Sequence, residues 1–204
     1  MNSKWNKAVY KIWSPIYDNF FNSGSFLNSR KIIFQEKSFN SEQKILFVGV
    51  GTGADLELIN HYGLDITAID YSPEMLNKAK DKFAKTSIKF LEMDAQQMNF
   101  MDEQFDIVVG SLILSVVPNA NKCFDEMVRV LKKDGEIIIF DKFSPKGKKP
   151  SLFKKTIRPV IKVLGTDIGL NFEELFETQK TKLRIKEDAP IMFNGMYRKI
   201  VITK

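Results

Sequence analysis

From residue 44 to residue 140 the chain alternates short apolar runs with stretches in which apolar residues recur every three or four positions. Apolar runs of this length read as strands buried on both faces, and the three-to-four repeat reads as helices with one apolar face. Strands are predicted at 44–50 (KILFVGV), 65–70 (DITAID), 87–92, 105–111 (FDIVVGS) and 136–140. Helices are predicted at 54–61, from 73 to about 85 and at 120–132. The second opens with Ser72-Pro73, an N-cap serine and a proline at the first helical position, and buries Met75, Leu76, Ala79 and Phe83. The third buries Phe124, Met127, Val128 and Leu131, after which Lys133-Asp134-Gly135 turns the chain into the fifth strand. Strict alternation of strand and helix predicts a doubly wound, parallel α/β sheet covered on both faces.

The flanks are less regular. Residues 151–164 predict a helix bent at Pro159, residues 171–176 a short helix, and residues 180–186 with 195–203 a closing antiparallel pair. Ahead of the core, residues 4–40 carry Trp5, Tyr10, Trp13, Tyr17, Phe20, Phe21, Phe26 and Phe34. This aromatic density predicts helices laid over the carboxyl edge of the sheet, where ligands bind in such folds. The chain reads as one domain over 1–204: a helical cover at 1–40, a core at 44–143, and a basic helix with closing strands at 144–204.

Composition narrows the class. With 204 residues, 44% hydrophobic and 27% charged, the chain suits one soluble globular domain. No apolar run approaches the roughly 18 residues that span a bilayer. Lys4, Lys7 and Lys11 interrupt any signal-peptide core, so a cytoplasmic location is expected. Cys123 and His61 are the only residues of their kinds, which excludes a structural zinc site of Cys and His ligands; no metal is expected. Charge is unevenly placed: residues 1–140 carry 16 basic and 18 acidic residues, residues 141–204 carry 15 and 7. Eight basic residues and no acidic one fall within 142–162, a block suited to an anionic membrane surface or nucleic acid, or simply to a solvated helix face.

The chemistry gathers at strand ends. Gly49-Val50-Gly51-Thr52-Gly53 follows the first strand, where glycines let the backbone turn sharply and approach a ligand, with a helix N-terminus expected beyond. With Ala54 the loop satisfies the pattern G-x-G-x-x-G/A loosely, which alone is weak evidence. Asp70 ends the second strand, where a carboxylate accepts both hydroxyls of a ribose. Ser72 already caps the helix, which leaves Asp70 for that role. Asp94 ends the third strand, placed for an adenine amino group with Met93 or Ala95 against the ring. Together these residues form a three-point nucleoside site.

Through VGVGTG, DYSPEML, MDAQQM, FDIVVGSLILSVVPN and RVLKKDGEIIIF, residues 44 to about 143 resemble the class I S-adenosylmethionine-dependent methyltransferases. The resemblance implies strand order 3-2-1-4-5-7-6 with the seventh antiparallel. It implies S-adenosylmethionine as cofactor and S-adenosylhomocysteine as product. Residues 49–53 then flank the methionyl portion and Asp70 holds the ribose. Asp94 and Ala95 face the adenine, Tyr71 and Met75 join the cofactor site, and Ser111 lines the site of methyl transfer. One position departs: the family has Glu or Asp two residues before the first glycine, and this chain has Phe47.

For the acceptor, the position after the fourth strand reads Gly110-Ser111-Leu112-Ile113 and lacks the Asn/Asp-Pro-Pro-Tyr/Phe loop that meets exocyclic amines of nucleic-acid bases. Residues 10–18 (YKIWSPIYD), with SPEML and SVVPN, are similar to bacterial phosphatidylethanolamine N-methyltransferases, although quinone-ring methyltransferases share the Tyr-Asp opening. In either group the N-terminal helix closes over the cofactor. Tyr17 is assigned to that cover, and Tyr10 and Ser111 to the border of the acceptor. In 151–164, Phe153, Ile157, Val160, Ile161 and Leu164 share one face, with Lys154, Lys155, Arg158 and Lys162 mostly opposite. Such a helix rests on an anionic lipid surface or packs on the sheet. The expected partners are a phospholipid or other small-molecule acceptor and an anionic membrane through 142–162, with nucleic acid disfavoured and a monomer expected. A quinone methyltransferase, an RNA methyltransferase and a non-catalytic cofactor-binding domain remain open readings.

Overall fold

The computed structural model describes residues 23–35, 37–144 and 169–204. The expectations for residues 1–22, Tyr10 and Tyr17 among them, and for the basic helix at 151–164 lie outside the described residues. The strands are β1 (Lys44–Val48), β2 (Asp65–Asp70), β3 (Lys89–Glu92), β4 (Phe105–Ser111), β5 (Leu131–Lys142), β6 (Arg184–Met192) and β7 (Tyr197–Thr203). The described helices are α1 (Gly24–Gln35), α2 (Pro73–Lys82), α3 (Ala120–Val130) and α4 (Phe172–Glu177). The strands form one sheet in the order β3-β2-β1-β4-β5-β7-β6, as the resemblance implies. β1 to β5 are parallel, and β7 is antiparallel to both of its neighbours.

Side-chain alternation along β1 divides the core. Ile45 and Phe47 face the layer that contains Phe26, Ile33 and Phe34 of α1, whereas Leu46 and Val48 face Phe124, Met127 and Val128 of α3. Both layers are needed because a parallel strand exposes apolar side chains on either face. Cys123 of α3 is fully buried, and burial pushes its thiol pKa far up, so it stays protonated and inert. Among the described residues no helix is long and apolar enough to cross a membrane.

Three expectations are corrected. The helix predicted at 54–61 is a single 3₁₀ turn, Leu56–Leu58, and the chain is extended again at Ile59. Asp55 stands at its N-cap but makes no side-chain cap bond there, and so short an uncapped segment does not offset the cost of helix nucleation. The fifth strand begins at Leu131, not at 136. It absorbs Lys133-Asp134-Gly135 as an irregularity, with Asp134 at φ +62° and a register shift opposite Phe105 and Ile107. Finally β6 starts at Arg184 instead of 180, because Gln179 and Thr178 fold back on the end of α4 through bonds to Phe176 and Leu175 carbonyls. β6 is an edge strand, which tolerates Pro190 at a second shift in register.

The closing strands are pinned by Arg198 of β7. Its Nε and Nη2 donate to the two carboxylate oxygens of Asp188 at 2.8 and 2.6 Å, and Nη2 also donates to Glu173 of α4 at 2.9 Å. The guanidinium lies over the rings of Phe143 and Phe172, 5.5 and 5.2 Å from their centroids. Removing one partner of such a buried pair strands the other charge. Arg198→Met is therefore expected to lower unfolding free energy by on the order of 3 kcal/mol, read as an earlier midpoint in equilibrium urea denaturation. A midpoint within error of the parent protein would show that the pair is dispensable.

Candidate functional site

The carboxyl ends of β1 to β4 open into one cavity. Gly49, Val50, Gly51 and Thr52 line it from β1, and Asp70, Tyr71 and Met75 line it from β2 and the start of α2. Asp94 and Ala95 reach it from β3, and Ser111 from β4. These residues, singled out in the sequence, line one cavity. Gly53 is the exception. A Cβ at that position would lie 2.6 Å from the ring of Phe83, so this glycine serves the packing of the loop onto α2, behind the cavity.

The loop is held by β2. The amides of Gly49 and Val50 both donate to the Ile69 carbonyl, at 2.9 and 3.0 Å. Gly51 N–H donates to Asp70 Oδ2 at 2.8 Å, and Ser72 N–H donates to Asp70 Oδ1 at 2.8 Å. Ser72 in turn caps α2 by accepting from Met75 N–H. Asp70 is half-buried, and desolvation raises its pKa above the ordinary aspartate value of 3.8, opposed by the backbone bonds from Ser72, Gly51 and Tyr71. A carboxylate offers about four acceptor sites, so these backbone bonds still leave capacity for a ligand hydroxyl.

Asp94 organises its own turn. Its Oδ1 accepts from Gln96 N–H at 2.8 Å, and both oxygens accept from the Gln96 side-chain amide. Gln96 Oε1 then accepts from Asn119 N–H at 2.9 Å, which ties the β3 end to the start of α3. Past β4, Ser111 Oγ is buried and has no hydrogen-bond partner among the described residues. Leu112 follows in a left-handed conformation, φ +56°, with its amide bonded to the Phe140 carbonyl at 2.7 Å. Asp141, fully buried at the end of β5, accepts from Ser115 N–H at 3.2 Å and so fixes the far end of this wall. Burial raises the Asp141 pKa, with the bonds from Ser115 and Lys142 opposing. Ile113, Val116 and Val117 make the wall apolar. Among the described residues no cluster of His, Cys, Asp and Glu is arranged to hold a metal.

Phe47 points away from this chemistry, buried against Phe34 with ring centroids 6.4 Å apart. Two charged residues that the sequence reading missed stand at the cavity instead: Arg30 of α1 and Asp55 after the loop. Arg30 Nε lies 3.5 Å from Asp55 Oδ1, and their side chains are only 5% and 11% exposed. A signal for Arg30 existed. It falls one turn before Phe34 and one turn after Phe26, on the apolar face of α1, where the helical period calls for another hydrophobe. Asp141 was likewise visible as an acid closing the apolar run of β5.

A family profile described as a methyltransferase domain matches residues 46–139. Over 192 residues, 92% of each chain, the protein is 31% identical to a phosphatidylethanolamine N-methyltransferase of Cereibacter sphaeroides. It is 30% identical over 135 residues to a demethylmenaquinone methyltransferase of Renibacterium salmoninarum, a match covering 65% of this chain and 56% of that one. The fold is shared with a solved S-adenosylmethionine-dependent methyltransferase of Thermotoga maritima, described as a possible histamine N-methyltransferase. There the TM-score is 0.70 at 16% identity, covering 97% of this chain and 99% of that one.

The two inner glycines of the loop are expected to respond differently to a methyl group. At Gly49, φ +70°, a Cβ would lie 2.5 Å from Ile113 Cδ1; at Gly51, φ +56°, it would meet nothing within 4 Å. Gly51→Ala should cost only the left-handed strain, on the order of 1–2 kcal/mol. Gly49→Ala adds a steric collision and should melt lower by several degrees more. Thermal melts of the two variants side by side decide the matter, and equal melting temperatures would refute the close approach of Ile113.

Proposed function

We propose, from the premise that the chain belongs to the class I S-adenosylmethionine-dependent methyltransferases, that it methylates the amine of phosphatidylethanolamine at a membrane surface. The observation that carries the acceptor is the extent of similarity. The likeness to a phosphatidylethanolamine N-methyltransferase spans 92% of both chains, so it includes segments beyond the cofactor core, whereas the likeness to a quinone methyltransferase covers 65% of this chain. The basic block at 142–162 supports an anionic surface as the place of reaction.

The residues at the cavity suit the cofactor. Open space above Gly51, half-buried Asp70 beside it and the buried hydroxyl of Ser111 make a cradle with polar groups at both ends. In this reading Asp70 accepts the ribose hydroxyls, and Asp94 accepts the adenine amino group while Met93 and Ala95 pack on the ring. Gly49, Val50, Gly51 and Thr52 bring backbone close to the methionyl portion. Tyr71 and Met75 complete the nucleoside end, and Ser111 borders the transfer site. When bound, S-adenosylmethionine supplies a methyl group on a sulfonium; the C–N bond to the neutral amine forms as the C–S bond breaks, and the amine proton passes to solvent. The chain's part is orientation and exclusion of water: the apolar wall of Ile113, Val116 and Val117 leaves few competing nucleophiles.

Radiolabelled methyl transfer by the full chain to vesicles of phosphatidylethanolamine with anionic lipid is expected to yield labelled monomethylated lipid. Label in a demethylmenaquinone fraction with none in lipid would replace the acceptor. Acidification offers a second check, since the ribose contact needs the ionised Asp70. Its pKa is raised, so affinity for S-adenosylhomocysteine should fall with decreasing pH, beginning above the ordinary aspartate value of 3.8. Asp70→Asn should weaken binding about 10- to 100-fold at neutral pH and flatten that acid limb. Calorimetric titrations from neutral to acid pH test this, and an unchanged acid limb in the variant would assign it to another group.

A further inference from the structure

The hairpin that joins β6 to β7 stands at the carboxyl edge of the sheet, the edge into which the cavity opens. Its charge ends abruptly. β6 opens with Arg184, Lys186, Glu187 and Asp188, and Asp188 pairs with Arg198 across the hairpin. From Ala189 to Tyr197 no residue carries a charge, and the run reads APIMFNGMY. Ile191, Met192 and Met196 are half-buried, and Phe193 at the tip is 57% exposed. Hairpin tips are ordinarily built from polar turn residues, because water surrounds them.

The backbone adds strain to this exposure. Asn194 and Gly195, at φ +53° and +82°, are the central residues of a turn closed by Met196 N–H on the Phe193 carbonyl at 3.1 Å. Asn-Gly is a preferred pair for such a left-handed turn. Phe193 precedes them and is itself left-handed, at φ +52°. Turn chemistry calls for no aromatic there, and a bulky residue in that conformation is strained. The ring is also held in place. Phe26 of α1 meets it at 6.3 Å between centroids, and Tyr197 at 5.8 Å. An exposed aromatic fixed in a strained turn points to a contact outside the molecule.

We propose that this tip docks the carboxyl edge of the sheet on an anionic lipid surface, with Phe193 entering the boundary between headgroups and acyl chains. Charge selects lipid as the occupant. Phe143 N–H donates to the Met196 carbonyl at 2.7 Å, which places the hairpin tip where the basic run of residues 142–162 begins. An aromatic ring beside a basic run matches the two-part chemistry of a membrane interface, apolar chains beneath anionic headgroups. Docking by this edge also sets the cavity at the carboxyl ends of β1 to β4 next to the lipid.

The proposal rests on a membrane surface as the place of reaction, and the test separates the two. Cys123, the chain's single cysteine, is buried and protonated, so an introduced cysteine alone takes a thiol-reactive label. Asn194→Cys carries an environment-sensitive nitrobenzoxadiazole label on the tip. Tyr62→Cys carries it at an exposed position before β2, at the opposite edge of the sheet. Each full-chain protein is mixed with vesicles of phosphatidylethanolamine and phosphatidylglycerol. The tip label is expected to brighten and shift to the blue, and the label at position 62 to stay as it is in buffer. Phe193→Asn removes the ring and suits the left-handed turn, so it should fold and sediment about 5- to 10-fold more weakly with those vesicles. Sedimentation of the parent with no change at the tip, with equal changes at both labels, or with Phe193→Asn sedimenting equally well would overturn the hairpin assignment and leave the surface reading intact. A blue shift at the tip in concentrated protein without lipid would overturn it in favour of a contact between copies of the chain. No sedimentation of the parent would overturn the surface reading, and this assignment with it.

Discussion

One carboxylate holds the working edge of this protein together. Asp70 takes the Gly51 amide with one oxygen and the Ser72 amide with the other, both at 2.8 Å. The first bond fixes the loop after the central strand; the second fixes the serine that starts α2. A carboxylate drawn out of water needs donors, and here the donors are the backbone that shapes the cavity. The glycine loop, the α2 cap and the adjoining end of the cavity are consequently one mechanical unit, with Asp70 at its centre.

Around that unit the chain redistributes work more often done by other parts. The loop leads into a three-residue turn, and the β1 position two residues before the first glycine is an aromatic ring in the core. Its neighbour α1 packs Phe34 against Phe47 and brings Arg30 to the cavity beside Asp55. An element packed on the sheet for hydrophobic reasons thus becomes part of the site through one polar residue on its apolar face.

Much of this was legible in the sequence. Strands buried on both faces leave continuous apolar runs, so β1, β2 and β4 were located within a residue or two, and the order of the sheet followed from the family resemblance. Asp70 and Asp94 stood out as carboxylates at strand ends, and Ser111 through the family resemblance. A helix was expected at 54–61 after the loop, but without a side-chain cap the segment closes as one 3₁₀ turn, Leu56–Leu58. Gly53 resembled its neighbours until Phe83 was seen pressed against it. Local pattern reports which face is apolar; it does not report which distant side chain will arrive there.

Leu112 carries a consequence for ligand entry. A leucine held at φ +56° is strained, and the bond of its amide to Phe140 keeps it so, while Asp141 grips Ser115 further along the same wall. A wall fixed in this way has little conformational freedom left to lose when a molecule arrives. The entropic cost of shaping that side of the cavity falls on folding and not on association. Any molecule that meets this side of the cavity meets a wall already shaped by folding between Ser111 and Ser115.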